Sequence, residues 1–282
     1  MHVQPLSPAK LSLFAWIAFG LFLLIYIPVL IGLAGEWYSD DNYSHGFLVP
    51  LISGFLLWKK RKKLGEVLAP GGDIAGLIIV LAGMILFVVA NAAAEYFTLR
   101  FSLVLTLFGL VWFLCGRRFV AEAWFEILFL IFMIPLPYVV YYAVTFPMQI
   151  FATKVTVKIL NIIGMTAIAQ GNIIHLPGYS LEVAEACSGL RSLISLLALG
   201  AVYARLSQPD LVRQSILFLS TIPIAVAANV FRITFTAVGA YAVSKELAED
   251  FLHELSGMMV FVVAFLMLFV WGAIIKIGTK KK

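Results

Sequence analysis

Residues 74–93 read IAGLIIVLAGMILFVVANAA, a nearly unbroken apolar run without a charged side chain. A helix needs about 20 predominantly apolar residues to cross the hydrocarbon core of a bilayer, which is about 30 Å thick. This run therefore predicts a transmembrane helix. Similar runs recur along the chain, and 62% of its residues are hydrophobic while only 12% are charged. A soluble domain carries roughly twice that charge, so the sequence predicts a polytopic membrane protein.

The apolar runs predict an all-α membrane protein with about eight transmembrane helices, arranged as a single integral membrane domain over residues 1–282. The approximate bounds of the helices are 11–33, 46–58, 74–93, 99–115, 123–143, 188–206, 212–235 and 255–276. The second run is short for a spanning helix. Pro135 and Pro137 predict a kink in the fifth.

Basic residues divide the helix ends into two sides. Fourteen of the twenty Lys and Arg residues fall on one side, which the positive-inside rule assigns to the cytoplasm. Both termini are then cytoplasmic, and the cytoplasmic (inner) membrane is the predicted location. The net charge of +5 mostly reflects this topology. It therefore indicates contact with membrane lipids and predicts no nucleic-acid partner.

The longest segment outside the predicted helices covers residues 144–186 and faces the outer side. Lys154, Lys158 and Asn161 share one helical face in this segment, which predicts a helix along the outer interface. Pro177 and Gly178 form a turn signal between two short β-like runs. A small hairpin is therefore expected on the outer face, leading toward the sixth predicted helix.

The outer end of the sixth predicted helix carries a thiol, two small residues and a cation, in the order Cys187, Ser188, Gly189 and Arg191. Unpaired N–H groups at a helix N-terminus and a positive charge one turn away both favour a thiolate over a thiol. The two small residues would let a substrate backbone approach closely. This motif predicts a nucleophile at the membrane edge.

Two further polar residues are predicted at the same depth. Counted from the cytoplasmic ends of their helices at 1.5 Å per residue, Cys187, Arg232 and His253 lie about 27, 28 and 35 Å away. A thiolate can attack an acyl carbonyl, an imidazole can transfer the protons, and a guanidinium can stabilise the oxyanion. Asn229 precedes Arg232 by three residues and is a candidate to orient it.

Residue chemistry alone leaves other interpretations open. A cysteine in a membrane helix is commonly an apolar filler, and an arginine near a helix end commonly snorkels to the headgroups. An anion site at Arg191 and Arg232 would suit a transporter, although few ionisable groups fall at mid-membrane depth. A membrane acyl- or glycosyltransferase acting on polyprenol-linked sugars would use acidic residues and often metals. The outer acids show no metal-ligand spacing, so no metal site is predicted.

Four short motifs follow one another between about residues 35 and 275. They are YSHGFLVP at 43–50, which contains His45, AEACSGLRS at 184–192, NVFRI at 229–233, and LHE at 252–254. Together they resemble the motifs of the exosortase/archaeosortase family, in its bacterial exosortase form.

The resemblance implies a multi-pass membrane cysteine transpeptidase or protease that needs no cofactor. Its implied substrates are secreted proteins with a C-terminal sorting signal of the PEP-CTERM type, which comprises a Pro-Glu-Pro motif, a transmembrane helix and a basic tail. Cleavage at the outer face would pass the protein to an unknown lipid or polysaccharide acceptor. Cys187 would be the nucleophile, Arg232 the oxyanion stabiliser and His253 the general acid/base. The expected supporting or substrate-binding residues are Arg191, Ser188, Gly189, Asn229 and His45.

Overall fold

A computed structural model shows a predominantly helical protein with one small β-sheet. It describes the backbone of residues 8–69, 72–183, 190–242 and 251–277, and the side chains of residues 13–69, 72–183, 193–241 and 257–276. The elements group into two compact units, Met1–Leu136 and Pro137–Lys282. The prediction of a single domain remains a prediction.

The first unit consists of helices joined by short connections. Its α-helices are α1 (Pro8–Ser39), α2 (Leu48–Lys59), α3 (Arg61–Val67), α4 (Ile74–Ala92), α5 (Tyr96–Cys115) and α6 (Arg117–Leu128). Two 3₁₀ helices, Asp41–Phe47 and Phe129–Met133, precede α2 and follow α6.

Glycines bring α4 and α5 into close contact. A Cβ atom at Gly109 of α5 would lie 2.6 Å from the backbone nitrogen of Val80 in α4. A Cβ atom at Gly83 would overlap Thr106, and one at Gly76 would overlap the backbone of Phe113. Apolar surface alone drives little helix association in lipid, so small residues that permit close backbone approach decide where transmembrane helices pack.

Polar contacts connect α1 to α5. The hydroxyl of the fully buried Tyr26 lies 3.0 Å from the hydroxyls of both Ser102 and Thr106. Nearer the end of α1, the guanidinium of Arg100 donates two hydrogen bonds of 2.7 and 2.6 Å to the carboxylate of Glu36. Arg100 is buried, so this bidentate pair neutralises a charge that would otherwise be costly inside the bundle.

A second ion pair connects the α2–α3 junction to α6. Nζ of Lys60 lies 2.6 Å from Oε1 of Glu126, whose side chain is fully buried. The approach is that of an ion pair, although its angles are not those of a hydrogen bond. Lys60 also donates to the carbonyl of Glu122, and Ser53 donates to the carbonyl of Glu126. The basic segment after α2 is therefore anchored to α6.

The second unit contains four α-helices among its described residues, together with a small sheet. Its helices are α7 (Tyr138–Ile162), α8 (Leu190–Ser207), α9 (Leu211–Ala242) and α10 (Phe251–Ile277). Its strands are β1 (Ile168–Gln170), β2 (Ile173–Leu176) and β3 (Tyr179–Glu182), which pair antiparallel in the order β1-β2-β3. The predicted turn at Pro177 and Gly178 joins β2 to β3 and is confirmed. The strand β1 was not predicted.

Two hydrophobic clusters hold the second unit together. One joins α8, α9 and α10 to Tyr141 of α7, through Leu196, Leu217 and Val260 among others. The other packs the sheet and α7 against α9, with Ala152 and Leu160 of α7 meeting Val230, Ile233 and Ala237 of α9. The helix α9 is thus the central element of this unit.

The structure confirms a polytopic helical membrane protein but not the count of eight spans. Within the described residues, five helices are long and apolar enough to cross a bilayer, and six if the α6 and α7 segments together form one span. They are Leu13–Ser39, Ile74–Ala92, Tyr96–Cys115, Leu211–Tyr241 and Gly257–Lys276. The predicted span 46–58 corresponds to α2, which is only about 18 Å long. The short apolar stretch Leu193–Ser207 lies in α8.

The predicted helix 123–143 is not continuous, because the helical path breaks between Met133 and Tyr138 with a bend of 85° at the place where a kink was predicted. Pro135 and Pro137 cannot donate a helical hydrogen bond, and each disfavours helical geometry in the residue before it. Ile134 is accordingly extended. The residues predicted to form a helix along the outer interface are helical and belong to α7, which begins at Tyr138. Their location at the interface stays a prediction. Lys154, Lys158 and Asn161 do lie on the exposed face of α7.

We expect Gly109→Ala to lower the melting temperature of the detergent-solubilised protein. The new Cβ would meet the α4 backbone, and overpacking of this kind costs about 1–3 kcal/mol. Gly32→Ala is the matched control, since a Cβ at that glycine of α1 meets nothing within 4 Å. Alanine has a greater helix propensity than glycine, so Gly32→Ala should leave stability unchanged or raise it by up to about 1 kcal/mol. Equal melting temperatures for the two variants would contradict the close packing of α4 and α5.

Candidate functional site

The helix α9 carries two buried polar side chains one turn apart. Arg232 is 6% exposed and Asn229 is 2% exposed. An ionisable side chain inside a membrane protein is costly, and it commonly marks a functional site. Burial of this extent argues against an arginine that merely snorkels along the protein surface.

A glycine of α10 lies beside the guanidinium of Arg232. A Cβ atom at Gly257 would be 3.9 Å from Nη2 of Arg232, which is ordinary contact distance. This places the backbone of α10 next to the buried cation. His253 precedes Gly257 by four residues in the same helix.

Asn229 does not use its carbonyl oxygen to hold Arg232. Its Oδ1 atom is buried and has no hydrogen-bond partner among the residues that the structure describes. A buried acceptor without a partner typically costs about 1–3 kcal/mol. The proposed orienting role of Asn229 therefore does not act through Oδ1 in this structure, and the oxygen is available to another donor.

The helix α7 contributes more polar atoms of the same kind. Thr153 and Thr156 are fully buried, and neither hydroxyl has a hydrogen-bond partner within the described part of the chain. Thr145, two turns earlier, donates at 2.8 Å to the carbonyl of Tyr141. That back-bond to the preceding turn is the usual way in which a helical threonine satisfies its hydroxyl. The hydroxyls of Thr153 and Thr156 do not make such a bond to the preceding turn.

His45 lies in the first unit, in the 3₁₀ helix Asp41–Phe47. Its Nε2 atom donates at 3.2 Å to the carbonyl of Phe132, and Nε1 of Trp37 donates at 2.9 Å to the next carbonyl, that of Met133. Burial lowers the pKa of His45, while its hydrogen bonds to the backbone of Phe132 and Asn42 oppose the shift. The described contacts of His45 therefore join two 3₁₀ helices.

Several predicted site residues fall outside the described parts of the structure. Cys187, Ser188 and Gly189 are not described. Arg191 and His253 belong to α8 and α10, but their side chains are not described. Of the predicted set, Arg232 and Asn229 are the two whose side chains are described together in the second unit.

Sequence reasoning missed Gly257, Thr153 and Thr156. One available signal was the spacing of Thr145, Gln149, Thr153 and Thr156, since steps of four, four and three follow a single helical face. That face is buried, while Lys154 and Lys158 are exposed. The polar side chains on this helix were predicted to face outward only.

These features define a multi-pass helical membrane protein with a buried arginine beside a close helix contact. The chain matches the family described as transmembrane exosortase (Exosortase_EpsH) over residues 37–270. That match covers most of the 282 residues, so the chain belongs to the transmembrane exosortase family. The resemblance drawn from the sequence motifs is thereby confirmed. Comparisons with curated proteins and with solved structures give no match.

We expect acidification to destabilise the protein through His45. A histidine whose pKa is lower in the folded state contributes stability above its unfolded pKa of about 6.5, and this stability is lost as the pH falls through the folded pKa. The melting temperature should therefore fall between pH 7 and pH 5, and His45→Gln should reduce that fall.

The matched control is His175→Gln, because His175 is partly exposed on β2 and bonds only to side chains, those of Ser180 and Gln170, among its described contacts. Scanning fluorimetry measures the melting temperatures of the wild type and both variants across this pH range. A His45→Gln variant that melts with the wild-type pH dependence would exclude His45 as a source of the effect.

Proposed function

We propose that this protein is a cysteine transpeptidase that cleaves the C-terminal sorting signal of secreted proteins and transfers them to a cell-surface acceptor. The observation that carries the proposal is the buried guanidinium of Arg232 beside Gly257, in a chain of the exosortase family. The expected site comprises Cys187, Arg232 and His253.

The reaction would begin with attack of the Cys187 thiolate on a peptide carbonyl near the Pro-Glu-Pro motif. The carbonyl oxygen becomes an oxyanion, which the guanidinium of Arg232 stabilises by charge-assisted hydrogen bonds. Protonated His253 gives its proton to the leaving amine, and the C–N bond breaks to leave a thioester. Neutral His253 then takes a proton from the acceptor nucleophile, which displaces the thiolate and regenerates the enzyme.

The burial of Arg232 suits a role in stabilising an oxyanion. An electrostatic interaction is stronger where water is excluded, and a guanidinium held in place does not need to reorganise during the reaction. Gly257 has no side chain, so the backbone of α10 lies close to the guanidinium of Arg232. The position of His253, one turn before Gly257 in α10, is compatible with proton transfer near Arg232.

The length of α9 supports a site at the outer membrane boundary. Arg232 follows Leu211 by 21 residues, or about 32 Å of helix, and the hydrocarbon core is about 30 Å thick. The basic residues predict that the Leu211 end is cytoplasmic. A substrate anchored by its own transmembrane helix would present the peptide just beyond the bilayer at this level.

Cys187→Ala should abolish processing of a reporter protein that ends in a Pro-Glu-Pro motif, an apolar helix and a basic tail. Loss of the nucleophile is expected to reduce the rate at least about 10³-fold. The control is Cys115→Ala, because Cys115 is a free thiol at the end of α5. Processing is measured by gel shift in membranes with equal enzyme levels, and the thioester on Cys187 by mass spectrometry. Full activity of Cys187→Ala would refute the proposed mechanism.

Arg232→Lys should lower kcat about 10²-fold or more, because a compact ammonium does not reproduce the planar donors of a guanidinium. Arg205→Lys is the control, since Arg205 lies in the last turn of α8 at the predicted cytoplasmic end. Single-turnover rates with the same reporter protein measure the step in which the oxyanion forms. If both variants react at the wild-type rate, Arg232 does not stabilise the oxyanion.

A further inference from the structure

Among the described residues of the second unit, four buried side-chain polar atoms have no hydrogen-bond partner. One is Oε1 of Gln208, between α8 and α9, and the other three lie within α7 and α9. These three are the hydroxyls of Thr153 and Thr156 in α7 and the Oδ1 atom of Asn229 in α9. Each residue is at least nine-tenths buried. Buried polar groups nearly always have a partner, so three unpartnered atoms within one pair of helices need an explanation.

The three atoms belong to one contact region. Ala152 and Leu160 of α7 pack in the same cluster as Val230 and Ile233 of α9. Helical geometry places Thr156 between Ala152 and Leu160 on that face, and Asn229 directly precedes Val230. The region therefore lies at the level of Arg232, and its polar atoms do not bond to one another.

The chemistry of these atoms matches the main chain of an extended peptide. A threonine hydroxyl can donate to a carbonyl and can also accept, whereas the Oδ1 atom of an asparagine only accepts. A peptide strand offers both a carbonyl acceptor and an N–H donor at most residues. Recognition through its main chain requires neutral donors and acceptors held in place, which Thr153, Thr156 and Asn229 supply next to the buried cation.

We propose that Thr153, Thr156 and Asn229 bind the main chain of the substrate peptide beside Arg232. The two hydroxyls donate to peptide carbonyls, and Oδ1 of Asn229 accepts a peptide N–H. This inference rests on the proposed transpeptidase function and assigns part of its substrate site. Main-chain recognition would hold the scissile carbonyl near Arg232 regardless of the side chains that flank the sorting motif.

The test uses Thr153→Val and Thr156→Val, which preserve shape and remove only the hydroxyl. Each loses one neutral hydrogen bond to the substrate, so KM for the reporter protein should rise about 3- to 10-fold with little change in kcat. The melting temperature should stay the same or rise, because no hydrogen bond within the enzyme is lost. The double variant should show a larger rise in KM.

Thr145→Val is the matched control, because the Thr145 hydroxyl is already bonded within α7. It should keep the wild-type KM. Asn229→Leu should also raise KM. N-methylation of single amides in a synthetic reporter peptide should identify one position at which the wild-type enzyme loses affinity and the Asn229→Leu variant loses no more.

The possible outcomes are distinguishable. If the wild-type enzyme processes the reporter but both valine variants keep its KM, main-chain recognition by α7 is overturned while the transpeptidase proposal stands. A drop in melting temperature with unchanged KM would overturn it in favour of ordered water at these hydroxyls. A wild-type enzyme that does not process the reporter overturns the transpeptidase function, and with it this inference.

Discussion

The structure depends on one constraint, which is that a bilayer offers no water to a buried polar group. Every such group must find a partner inside the protein or incur a large cost. The first unit meets this demand with permanent pairs. Arg100 is neutralised by Glu36, Glu126 by Lys60, and the Tyr26 hydroxyl meets two others from α5. In the described part of the second unit, Thr145 bonds to its own helix, whereas Asn229, Thr153 and Thr156 are buried with atoms that have no hydrogen-bond partner. The first pattern stabilises a scaffold, and the second suits a site that binds a ligand.

Much of the fold could be predicted because the length of a membrane-spanning helix follows directly from the length of an apolar run in the sequence. The ends of α4 and the turn at Pro177 and Gly178 followed from apolar length and turn chemistry. The predicted kink in the span 123–143 is located correctly, but its prolines do more than bend a helix, since they end one helix and let another begin. The missed strand β1 did carry a signal, since Gly171 and Asn172 form a two-residue hairpin sequence. Its three residues were too few to show an alternating pattern.

Residues of the candidate site could be predicted only where the residue type and its estimated depth in the membrane both pointed to a function. Arg232 was chosen because a cation near the end of an apolar run is unusual, and its burial in the structure adds to that reasoning. Thr153 and Thr156 could not be identified from the sequence. A threonine in a membrane helix usually bonds to its own backbone, so its presence there is unremarkable. Gly257 was missed for a related reason. A glycine in an apolar helix has several possible explanations, and only its proximity to Arg232 distinguishes them.

The proline break after Met133 depends on hydrogen-bond donors from a much earlier part of the chain. Pro137 cannot donate to the carbonyl of Met133, which receives its hydrogen bond from Trp37 instead, 96 residues earlier in the chain. The neighbouring carbonyl of Phe132 receives one from His45, 87 residues earlier. Two bare carbonyls are tolerable at a wet surface but not in lipid. The end of α1 and the 3₁₀ helix that follows it therefore supply the two donors that the break needs. Hydrogen bonds that proline removes from the local helix are replaced by contacts that are distant in sequence.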